Sequence, residues 1–79
     1  MKEIAPKIVV NPKVRFGKPV IKGTRITVEE VLGFVTGGMD YEEIEKEYGI
    51  KKEDVVAAIN YAASFLKGEV IKLPKLVKV

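Results

Sequence analysis

The sequence predicts a mainly α domain: three short helices, a short β arm at the N-terminus and an extended tail at the C-terminus. Three observations carry this. Two capping-box signatures each precede apolar residues at helical spacing. Glycines stand where the helices would have to stop. The first 25 and last 13 residues revert to strand-like runs broken by proline.

In the arm, Lys7-Ile8-Val9-Val10 is a short β-branched run stopped by the turn pair Asn11-Pro12. Phe16-Gly17-Lys18-Pro19 is a second break, and Pro19 biases Lys18 away from helical backbone. Val20-Ile21-Lys22 then forms another brief strand, ended by Gly23. Two such strands cannot stand alone and need the helices or a second subunit.

Helical spacing begins after Arg25. Thr27 and Glu30 fit a capping box, and Val28, Val31, Leu32 and Val35 follow as one apolar stripe. Gly37-Gly38 stops this helix. Asp40 and Glu43 open a second, with Tyr41, Ile44 and Tyr48 on one face, and Gly49 supplies the positive φ of a tight turn. A third helix is expected from about residue 52 to 66, with Val55, Ile59, Ala62 and Leu66 inward. In the tail, Ile71, Leu73, Val77 and Val79 share one face at period two, and Pro74 restricts the segment to an edge strand or an extended peptide. The expected organisation is one domain over residues 1–66, with the arm at 1–25 and the helices at 26–66, followed by the tail at 67–79.

Composition excludes several chemistries. The 79 residues contain no Cys, His or Trp, so zinc sites, Ser-His or Cys-His nucleophiles and His-ligated haem are not expected. A domain this small buries only about 60% of its unfolded surface, and with no disulfide or metal to staple it, oligomerisation is the expected supplement. No apolar run reaches the 18 or so residues of a membrane span, and the N-terminus lacks a signal-peptide h-region. The expectation is a soluble, cytoplasmic protein. Twelve Lys and nine Glu against two Asn and no Gln lean towards a high-temperature organism.

The net charge of +3 conceals segregation. Residues 1–25 hold seven basic groups against Glu3, residues 26–66 hold nine acids against three lysines, and the tail holds four lysines against Glu69. Blocks of opposite sign either pair with one another or present two surfaces to different partners.

Ile44, Tyr48, Gly49, Ile50, Val55 and Ala58 place apolar residues where two helices would meet and a glycine where the chain would turn, as in a DNA-binding helix-turn-helix. Glu45 stands where that motif usually has a small residue, and a plain helical hairpin is the alternative. Three stretches then resemble one known family. They are Pro19-Val20-Ile21-Lys22-Gly23-Thr24-Arg25-Ile26-Thr27-Val28, Gly37-Gly38-Met39-Asp40-Tyr41-Glu42-Glu43-Ile44 and Glu53-Asp54-Val55-Val56-Ala57-Ala58-Ile59-Asn60-Tyr61-Ala62. Together they are similar to the domain of unknown function 433 family over about residues 4–66. Gly17-Lys18-Pro19 and Gly23-Thr24-Arg25 are the most specific part. The resemblance implies a winged-helix-like or helix-turn-helix domain, usually dimeric. Such domains are often encoded beside a PIN-related nuclease toxin and assigned as its antitoxin.

The candidate DNA contacts are Lys18, Lys22, Thr24, Arg25, Lys51 and Lys52. Arg25 and the Thr24 hydroxyl would meet the phosphate backbone; otherwise Gly23 merely turns the chain while Arg25 pairs with Glu29 or Glu30. Lys51 and Lys52 open the third helix, where the macrodipole disfavours cations and phosphates would be welcome; otherwise they are ordinary surface lysines. Asn60 and Tyr61 could reach bases or a partner subunit, while Tyr61 with Phe65 fits core or dimer packing. Glu42, Glu43, Glu45 and Glu47 read as a solvated face rather than a metal site. The tail residues Ile71, Leu73, Val77 and Val79 would bind the toxin by strand addition, or else pair with a sister subunit or with the arm near Val9 and Val20. The expected function is therefore a dimeric antitoxin that represses its own operon and neutralises a PIN-like nuclease. The alternative is a protein-interaction module whose helix-turn-helix binds no DNA. No enzymatic activity, cofactor, metal, membrane or small-molecule partner is expected.

Overall fold

Three antiparallel strands precede three helices in the computed structural model, which describes residues 1–66. The expected tail, with Ile71, Leu73, Val77 and Val79, lies outside the described residues. The strands β1 (Lys2–Ala5), β2 (Ile8–Val10) and β3 (Val20–Ile21) form one sheet in the order β1-β2-β3. The arm is thus a hairpin plus a third strand. β1 was not expected, and Lys7, expected to start a strand, sits in the hairpin turn with φ 67. Its amide donates to the Glu3 carboxylate at 2.9 Å, which closes that turn.

Pairing explains which strand residues are buried. Ile8 faces Ile21 and Val9 faces Val20, so each cross-strand pair lies on one side of the sheet. Ile8 and Ile21 join the helical core, while Val9 and Val20 on the other side are buried outside it.

The helices α1 (Val28–Thr36), α2 (Tyr41–Tyr48) and α3 (Lys52–Ala63) start where the caps require. Thr27 with Glu30, and Asp40 with Glu43, form complete capping boxes with all four bonds at 2.9–3.0 Å. At α3 only half of this exists: the Asp54 carboxylate accepts from the Lys51 amide at 3.0 Å, and a lysine side chain has no acceptor to return. Gly49 takes φ 77 between α2 and α3, and the turn carries Ile50 straight into the core. Val28, Val31, Ile44, Ile50, Val55 and Ala58 complete that core with Ile8 and Ile21. Burying each branched side chain contributes about 1.5–3 kcal/mol.

One position expected inward points outward. α3 ends at Ala63 and tightens into a 3-10 turn over Ser64–Leu66, which rotates Leu66 off the buried stripe and leaves it exposed. Tyr41 and Tyr48 are also exposed. Tyr48 nevertheless stacks on Phe34 with centroids 4.0 Å apart, linking α2 to α1.

Candidate functional site

The basic arm is largely occupied by its own chain. Lys18 pairs with Glu29 at 3.3 Å and Lys22 with Glu3 at 3.2 Å. The Thr24 hydroxyl donates to the Ile21 carbonyl and accepts from the Ile26 amide, so it closes the turn after β3. Glu30 is taken by Arg15, not by Arg25: the Arg15 guanidinium donates to the Glu30 carboxylate at 3.1 Å and to the Arg25 carbonyl at 2.9 Å. The Arg15 bond, then the Thr27 amide, holds the Glu30 carboxyl below its ordinary value of 4.5. Glu3 is lowered likewise, first by the Lys7 amide and then by Lys22. Among the described residues Arg25 and Lys51 make no ion pair. Lys52 lies over the Tyr41 ring, 5.2 Å from its centroid. The six candidate cationic and hydroxyl groups are therefore not gathered into one site; Lys18, Lys22, Thr24 and Lys52 have internal partners, and Lys51 and Lys52 alone share an element end.

The outward face of α3 has a different character. Residues 55–66 contain no charged side chain. Asn60, Ser64, Phe65 and Leu66 are exposed, and Val56, Ala57 and Tyr61 are half-buried. Two grooves flank this face, and Tyr61 lines both. One, of about 400 Å³, runs between Pro19, Val28 and Leu32 on one side and Tyr61, Ala62 and Phe65 on the other. The second, of about 380 Å³, lies between the hairpin turn at Ala5 and Pro6 and the residues Val56, Ala57 and Asn60. Tyr61 meets Phe65 edge-on with centroids 5.0 Å apart, which sets a ridge between the grooves. Each rim holds one cation and one acid: Lys18 and Glu29 at the first, Lys7 and Glu53 at the second. A largely apolar surface of this kind excludes water by contact.

Phe16, in the second break of the arm, has a backbone that no local sequence signal announces. Arg15, Phe16 and Gly17 turn left-handed in succession, with φ of 50, 58 and 82, and Phe16 is 95% exposed. Positive φ at an aromatic residue costs about 1–3 kcal/mol and persists only where its surroundings enforce it. Here the enforcement is visible: Gly17 and Lys18 donate to the carbonyls of Val14 and Arg15, and the Arg15 side chain ties the loop to Arg25 and Glu30. The phenylalanine beside Gly17 was readable as a loop residue, but nothing local announced its backbone. The uncharged run at 55–66 was readable and is the signal that marks the α3 face.

Among the described residues no group of three or more Asp and Glu side chains is placed to hold a metal ion, and no helix is long and apolar enough to cross a membrane. The model of the family described as protein of unknown function (DUF433) matches residues 8–62. The uncharacterized protein Rv2308 of Mycobacterium tuberculosis is 30% identical over 60 residues, which cover 76% of this chain and 25% of that protein. A crystal structure of a DUF433 member protein from Anabaena variabilis is also 30% identical, with a TM-score of 0.67, over 73% of this chain and 58% of that one. The chain thus spans a quarter of the first relative and under two thirds of the second.

Proposed function

This chain belongs to the DUF433 family, and from that premise we propose that it is a small antitoxin-type protein that works chiefly through protein contacts, as the dimeric partner of a nuclease-like toxin. The observation that carries this reading is the uncharged outer face of α3 between two apolar grooves. A helix that grips a duplex draws most of its affinity from phosphate neutralisation, and this one has no cation between Lys52 and Lys67. The neighbouring α2 exposes Glu42, Glu43, Glu45 and Glu47, which repel phosphates.

A second reading, operator binding with autorepression, is favoured by one feature: a helix pair joined through left-handed Gly49, with exposed Lys51 and Lys52 at the start of its second helix. In this reading the fold is winged-helix-like, the three-stranded sheet serving as the wing. Arg25 would add a phosphate contact, whereas Lys18, Lys22 and Thr24 would first have to leave their internal partners.

Co-expression with a PIN-like nuclease, taken from the adjacent gene where one is encoded there, tests the first reading. Asn60→Arg places a charge on the α3 face without touching the core and is expected to abolish co-purification, while Lys51→Ala with Lys52→Ala is expected to preserve it. The opposite pattern would overturn the reading. For the second, affinity for the upstream DNA should fall with salt by a log–log slope of about 0.9 per phosphate contacted, and the double lysine variant should flatten it by up to about two contacts.

A further inference from the structure

We propose that Phe16 is the anchor of a two-fold homodimer, seated in the groove between Pro19, Leu32 and Phe65 of a second copy of this chain. The inference rests on the protein-binding reading of the α3 surface and names the occupant of one of its two grooves.

The first argument is economy of strain. An aromatic side chain held at φ 58 by two backbone hydrogen bonds and an arginine tie, yet 95% exposed, contributes nothing to its own fold. Strain kept in that way points to use outside the chain. The second is proximity of projection and recess. Phe16 is two residues from Lys18 and three from Pro19, both of which line the groove. A two-fold interface requires both complementary features on one patch, because each copy presents the same surface to the other. A recess of about 400 Å³ with apolar walls admits a phenyl ring. One rotation would then seat both Phe16 rings at once.

The third argument is charge. Arg15 and Lys18, which flank Phe16, are neutralised by Glu30 and Glu29 at 3.1 and 3.3 Å. A loop inserting Phe16 into a nucleic-acid groove would use those cations on phosphates. The groove rim is likewise balanced by the Lys18–Glu29 pair. Nothing there selects a segment as cationic as residues 67–79, with four lysines against one glutamate. A second copy, meeting balanced charge with balanced charge, is the matching occupant.

The experiment uses the full chain. Sedimentation equilibrium at micromolar concentration is expected to give a dimer for the wild type and the 8.8 kDa monomer for Phe16→Gly. Two aromatic anchors lost together should weaken association on the order of 10³-fold. Glycine accepts φ 58, so this variant should keep its circular dichroism spectrum, and its melting temperature should lose the concentration dependence that dimerisation gives the wild type. A merely structural role for Phe16 would change the spectrum and leave the concentration dependence in place. A benzoylphenylalanine at position 16 should cross-link to a peptide spanning Val28 to Leu32, or Tyr61 to Phe65, of a differently labelled copy. A wild-type monomer, a Phe16→Gly dimer, or cross-links to residues 67–79 or to added upstream DNA would each overturn the proposal. Co-purification of Phe16→Gly with the adjacent gene product, assayed separately, shows whether the protein-binding reading stands when the dimer mode fails.

Discussion

Two left-handed turns in this molecule use the same region of backbone for opposite ends. At Gly49 the residue with φ 77 is the one that adopts it freely, and the turn drives Ile50 into the core at 1% exposure. At Arg15–Gly17 two residues with side chains adopt it against their preference, and the turn lifts Phe16 into solvent. The first is explained by the fold it closes. The second sets Arg15 against Glu30 and the Arg25 carbonyl but leaves the Phe16 side chain in solvent. Where a backbone is relaxed and buries an apolar group, structure is a sufficient reason. Where it is strained and exposes one, the reason lies outside the molecule.

The sharpest way to break this contrast is truncation at the two apolar residues. Ile50→Ala should cost about 2–5 kcal/mol by opening a cavity in the buried core. Phe16→Ala should change monomer stability by less than about 0.5 kcal/mol, since its side chain leaves no cavity. Chemical denaturation of both variants checks this. At the turn itself, Gly49→Ala should cost about 1–2 kcal/mol: nothing stands within 4 Å of the new Cβ, so the whole effect is backbone strain.

Smaller effects test the tie. Arg15→Ala should cost about 0.5–1 kcal/mol, because its pair with Glu30 is partly exposed and screened. The same variant should alter the acid limb of stability. A carboxyl whose folded pKa is lowered stabilises the fold at pH above its unfolded value, and that contribution is lost as pH falls through the folded value. Wild-type stability should therefore decline as pH drops below about 4.5, with Glu30 and Glu3 both contributing, and Arg15→Ala should decline less steeply. One small effect is a gain: Phe16→Gly should raise monomer stability by about 0.5 kcal/mol, strain relief exceeding the entropy that glycine adds to the unfolded chain.

The helical part of this fold was legible because its signals are local. Thr27 with Glu30, Asp40 with Glu43, and the glycines at 37, 38 and 49 each act within one turn of chain, and the structure places helix ends beside all of them. β1 was not legible: Lys2, Glu3 and Ile4 are exposed and show no alternation, so the strand exists only because β2 pairs with it. Leu66 followed the helical period correctly, but the helix had already ended. The site was harder still. That Lys18, Lys22 and Arg15 have internal partners depends on contacts 11, 19 and 15 residues away, which no window of sequence contains. The segregated charge blocks left pairing and separate surfaces as alternatives, without saying which residues would pair.

The central claim is that the outer face of α3 meets protein rather than phosphate, and amide chemical-shift mapping of the full chain tests it most directly. Under the proposed reading, titration with a PIN-like nuclease, taken from the adjacent gene where one is encoded there, should move the amides of Val56, Asn60, Tyr61 and Ser64. Titration with upstream DNA at physiological salt should move none of these, confining any change to the first turn after Lys51. Shifts at Val56 and Asn60 with DNA, and none with the protein, would contradict the account.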